Sequence, residues 1–113
     1  MRDRGSTTIG IALLLAAVTA AVALAVGTGI VRDRATAAQA ADAAALAAAD
    51  VLRGISPGLP CAIADRVATT NGARLQSCRI QDFDVLVEVA VPAWHGLAEA
   101  RSRAGPPMQD GDR

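Results

Sequence analysis

The pattern of apolar and polar positions divides the chain sharply. From Gly5 to Val31 there is no ionisable side chain, and this run is fenced by Arg2, Asp3 and Arg4 on one side and by Arg32, Asp33 and Arg34 on the other. The hydrocarbon core of a bilayer takes about 20 apolar residues in helical form, so the run predicts a transmembrane helix over 8–31, preceded by a short polar N-terminus, 1–7. The next stretch, 32–53, reads RDRATAAQAADAAALAAADVLR, rich in strong helix formers and free of Gly and Pro. At about 100° per residue, Arg32, Gln39, Asp42, Asp50 and Arg53 share one stripe with Leu46, and Ala37, Ala41, Ala44 and Ala48 lie opposite. The polar stripe is expected to face water or a partner. The alanine face buries little area but lets another backbone approach closely. No breaker separates the two segments, which predicts one continuous helix from Thr8 to Arg53, roughly 65 to 70 Å long. Gly54 and Pro57 then stop it.

Beyond the breakers the period changes. Ile63 and Val67 lie one turn apart in a short second helix beginning near Cys61, and Asn71-Gly72 ends it because both residues tolerate left-handed backbone. Arg74 to Ile80 reads as a strand, Gln81-Asp82-Phe83-Asp84 as a turn, and Val85, Val87, Val89 and Val91 alternate along a second strand. Glu88 and Ala90 belong to its other face, predicting a sheet with one buried side and one exposed or thinly covered side. The region 54–97 is therefore expected to form a small helix-plus-hairpin domain. The tail, 98–113, adds a third strand before Gly105-Pro106-Pro107 and is expected to end in disorder. The fold class is α+β: a long N-terminal helix packed on a small antiparallel sheet with one short helix.

Composition changes this picture only at a few points. The formal net charge is zero, which does not fit the basic footprint of a nucleic-acid binder. About 80 residues lie beyond the span, a size at which a single apolar core is marginal without a staple or a partner. Cys61 and Cys78 supply a staple. A helix from Cys61 to about residue 70 rises roughly 14 Å and a strand from Ala73 to Cys78 covers about 17 Å, so the second element returns to the start of the first. Outside the cytoplasm such a pair oxidises, and closing a loop of about 15 residues is worth roughly 3 kcal/mol. The alternative is a pair of reduced structural thiols. Zinc has too few ligands, with one histidine and two distant cysteines.

Arginines tie across the span, two on each side, so orientation rests on the extra positive amino terminus, which favours the N-terminus inside. A cleaved secretory signal is the competing reading, because Ala21-Val22-Ala23 and Ala23-Leu24-Ala25 offer small residues at cleavage spacing. Both readings export the C-terminal part; the second makes it a small secreted binding protein. Within the span, Ala17, Ala21, Ala25 and Gly29 recur every fourth residue, the small-xxx-small pattern through which membrane helices pack on one another.

No catalytic constellation emerges. His95 is the only histidine and has no nucleophile motif beside it; an enzyme would have to rest on it and nearby acids. There is no glycine-rich phosphate loop. Asp82 and Asp84 sit where a turn prefers acids, and Asp42 and Asp50 read as solvated helix positions. The sequence therefore implies no enzyme, no cofactor, no metal and no small-molecule substrate; its partners are the lipid bilayer and other proteins.

The run Arg34 to Ala49 (RATAAQAADAAALAAA), following a transmembrane span and centred on Asp42 and Leu46, resembles the N-terminal signature of TadE/TadG-like proteins of tight-adherence (Tad, Flp) pilus assembly. The opening Arg2-Asp3-Arg4-Gly5-Ser6 and the stretch from Cys61 through Asn71-Gly72-Ala73-Arg74-Leu75 to Cys78 are similar to small actinobacterial TadE-like proteins found near secretion and helicase genes. The resemblance covers residues 2 to 91. It implies a pseudopilin-like minor or assembly component of a pilus or secretion system, single-pass in the cytoplasmic membrane, with an extracytoplasmic domain and other membrane proteins of that machine as partners. Pilin-type precursors are cut after a Gly and carry Glu at the fifth mature position. Here a cut after Gly5 places Gly10 there, and this departure from the pilin pattern favours a stationary assembly or anchoring role over incorporation into a filament.

Overall fold

The structure, a computed structural model, describes residues 2–94 and 96–106. Its elements in chain order are α1 (Arg2–Leu52), α2 (Pro60–Thr70), β1 (Arg74–Gln81), β2 (Asp84–Ala93) and β3 (Gly96–Ala104). The chain divides into two compact units, Met1–Val31 and Arg32–Arg113.

The first unit is the apolar part of α1. It makes α1 long and apolar enough to cross a membrane, by length and composition, and no residue of its most apolar 18-residue window is buried. Ile9, Leu13, Leu14, Leu15, Val18 and Leu24 all face outward. The two hydroxyls deepest in this run, those of Thr19 and Thr28, are satisfied by its own backbone, as a nonpolar solvent requires: Thr19 Oγ1 donates to Leu15 O at 2.7 Å and Thr28 Oγ1 to Ala25 O at 2.9 Å.

In the second unit the rest of α1 buries Ala37, Ala40, Ala41, Ala44, Ala45, Ala48 and Ala49 in one cluster with Val85, Val87, Val89 and Val91 of β2. The stripe is wider than the expected Ala37, Ala41, Ala44 and Ala48, with two adjacent alanines per turn. A helix laid flat on a sheet presents that width when every side chain on the face is a methyl.

Both helices end in the same way. Gly54 takes φ 77°, with its N–H on Val51 O and that of Ile55 on Asp50 O. Gly72 takes φ 78°, with its N–H on Thr69 O and that of Ala73 on Ala68 O. Each is a Schellman close, in which left-handed backbone lets the next two amides cap the last carbonyls. Pro60 opens α2 at a position where its missing N–H costs nothing.

The sheet is antiparallel, in the order β1-β2-β3. β1 and β2 join through Asp82 and Phe83 alone, Asp82 at φ 55°. Gln81 and Asp84, expected in the turn, are instead strand residues paired across it. The third strand begins at Gly96, ahead of the expected 98, and pairs with β2 from Ala93↔Gly96 to Val85↔Ala104. It therefore completes the sheet of the 54–97 domain and is no appendage of the tail. The expected disorder at the chain's end falls on residues 107–113, outside the described ones. Ala90 lies on the outer face as expected but is only 2 % exposed, because Arg74 and Glu99, its cross-strand neighbours, flank it with longer side chains.

β1 carries a bulge between Leu75 and Ser77. Leu75 pairs with Val89 and Cys78 with Val87, so both face the core although they are three positions apart. In a regular strand an odd separation puts two side chains on opposite faces. The unpaired residue, Gln76, restores the phase.

Candidate functional site

The bulge turns Cys78 toward α2, where it is bonded to Cys61 with a Cα–Cα distance of 5.8 Å. The bridge ties the first turn of α2 to the middle of β1 and holds that helix along the β1 side of the sheet. Ala64 and Ala68 of α2 are buried beneath it.

At the other side of the sheet, α1 and β3 meet at Asp42. Ser102 Oγ donates to Asp42 Oδ1 at 2.6 Å. Asp42, expected as a solvated helix position, is exposed yet fixed by this bond. Leu46, one turn further, is 58 % exposed. Between them and Ser102, Arg103, Ala104 and Gly105 runs a groove of about 340 Å³. Asp50, also expected as solvated, pairs with Arg53 at 3.3 Å along the same exposed side of α1.

The outer face of the sheet carries rows of charge. Arg101 Nε lies 2.9 Å from Glu88 Oε1, and Arg103 Nε donates to Asp84 Oδ2 at 2.7 Å. Asp84 is thus an ion-pair partner as well as the first residue of β2, where turn chemistry alone was expected. A Cβ on Gly105 would land on the Asp84 carboxylate, so glycine there permits the chain to pass close to this pair. Arg79 and Arg103 flank Leu86 from its two sides.

Of the residues singled out from sequence, Cys61 and Cys78 are joined, and Asp42 and Leu46 come to the α1–β3 groove. Ala17, Ala21 and Ala25 are exposed on the apolar part of α1 and Gly29 is half-buried. His95 lies outside the described residues. Ser102 and Arg103 were not foreseen: a Ser and an Arg in an alternating strand carry no signal of what lies opposite until the strand is placed. Among the described residues no polar side chain is buried and no three metal-ligating side chains cluster. What this arrangement offers is contact surface: a groove, an apolar helix and an open strand edge. No protein-family model matches the chain, and neither the curated proteins nor the solved structures include a match to it.

Proposed function

We propose that this chain is a membrane-anchored, pseudopilin-like minor or assembly component of a Tad/Flp-type pilus or a related secretion system. In this reading 8–31 crosses the cytoplasmic membrane with the N-terminus inside, and the sheet domain stands outside and docks on other membrane proteins of the machine. The observation that supports it best is the alanine face of α1, fully buried on a three-stranded sheet and continuing the same helix that carries the apolar segment. That arrangement is the one a pilin-like reading calls for, and the reading is an argument by fold analogy. The Cys61–Cys78 bridge adds support, since such bonds persist in oxidising compartments.

The test is intact mass of the protein recovered from washed native membranes, with thiol labelling before and after reduction. A full-length chain that stays with the membrane, gains two labels only on reduction and migrates in a larger complex is the expected result. Loss of the segment up to about Ala23 would replace this reading with the secreted one. A membrane-held chain that runs alone after mild extraction would refute the assembly role.

A further inference from the structure

Among the described residues β3 is an edge strand, paired with β2 alone. The opposite edge strand, β1, has α2 packed along it and bonded to it. The register fixes which backbone groups of β3 point away from the sheet. The two-residue β1–β2 hairpin closes on Gln81↔Asp84, and in such a hairpin the closing pair is the hydrogen-bonded one. Alternation then turns the amides of Leu86 and Glu88 toward β1, and those of Val85, Val87, Val89 and Val91 toward β3. Their partners Ala104, Ser102, Ala100 and Ala98 bond back to β2. Leu97, Glu99, Arg101 and Arg103 therefore direct N–H and C=O outward, along an edge with no bulge and no proline. Edges of this kind are templates for a further strand.

The surroundings specify that strand. It would lie about 4.8 Å beyond β3, with alternate side chains to the two faces. Those on the core side enter the groove lined by Asp42, Leu46, Ser102 and Ala104, whose apolar wall is Leu46, 58 % exposed. Those on the outer side stand opposite Glu99, Arg101 and Arg103, where cross-strand pairs of opposite charge are favoured. The Arg101 and Arg103 side chains are 81 % and 62 % exposed, open to a second carboxylate beyond Glu88 and Asp84.

We propose that the β3 edge is a docking site for an extended segment of another protein, apolar at alternate positions and acidic opposite Arg101 and Arg103. The inference rests on the assembly role and names the surface that serves it. A second copy of this chain is a poor occupant. β3 would bring only small side chains, Ala98, Ala100, Ser102 and Ala104, to the groove and a single carboxylate, Glu99, to the two arginines.

The experiment titrates the full-length chain in detergent micelles with a nine-residue peptide alternating Val and Glu, and with a Val–Lys peptide as comparison, while following amide hydrogen exchange. The Val–Glu peptide is expected to slow exchange about tenfold or more at Leu97, Glu99, Arg101 and Arg103, with Ala98, Ala100 and Ser102 unchanged. Arg101→Pro removes one outward N–H without touching the β2 ladder, and Leu46→Asp spoils the groove; each should abolish the effect. Unchanged exchange at the four amides, or equal protection by Val–Lys, overturns the proposal. In native membranes the same two variants are expected to release the chain from its complex while Arg79→Glu, on β1, does not. A complex that survives Arg101→Pro refutes the edge and leaves the assembly role standing. A wild-type chain that is already alone refutes both.

Discussion

The bridge between Cys61 and Cys78 closes a loop with a sequence separation of 17. The chain-entropy relation for a loop of that size gives about 3 kcal/mol at room temperature. A domain of about 80 residues has roughly 4 to 12 kcal/mol of stability in total, so the bridge is a large share of what keeps the sheet and α2 together. Cys61→Ala and Cys78→Ala should each cost about 3 kcal/mol, and the double variant about the same, because the second change removes nothing that is still made. In thermal unfolding this is a fall of about 12 to 24 °C. The assay is urea and thermal unfolding of the full chain in detergent, read by the fluorescence of Trp94, the only tryptophan. Cys78 also packs against the core and Cys61 does not, so Cys78→Ala is expected to be the worse of the two by a fraction of the bridge. Additive losses in the double variant would refute the loop argument. So would single losses below about 1 kcal/mol, which is the scale of an ordinary contact and not of a cross-link.

Three further outcomes follow from the packing. Ala44→Leu forces a large side chain between α1 and β2 and should cost about 1 to 3 kcal/mol, whereas Ala38→Leu on the exposed side should change stability by less than about 0.5 kcal/mol; the same urea assay measures both. Gly72→Ala places a Cβ at φ 78° and should cost about 1 to 2 kcal/mol with no change in disulfide content by thiol labelling. Arg101→Ala breaks an ion pair whose arginine is 81 % exposed and should cost less than about 1 kcal/mol, the remainder fading in high salt.

The physical reason some features are legible in the sequence is that they depend on neighbours along the chain. A run without charges from Gly5 to Val31, a breaker-free alanine helix, Gly54 after α1 and Gly72 after α2, and valines at every second position of β2 are all local signals. They suffice for an α+β fold with a long helix on a small sheet. Even the cysteine pairing could be reached from helix rise and strand rise alone. The rest depends on what lies across the sheet. A period of two cannot reveal that Gln76 is an extra residue, and without that bulge Leu75 and Cys78 would point to opposite faces. Nor can a helical wheel show that Ala40, Ala45 and Ala49 are covered along with Ala41, that Asp42 accepts a hydrogen bond from Ser102 sixty positions away, or that Asp84 takes Arg103. The outward backbone groups of β3 are of the same kind: every strand has them, and only the order of strands in the sheet decides which set is left without a neighbour.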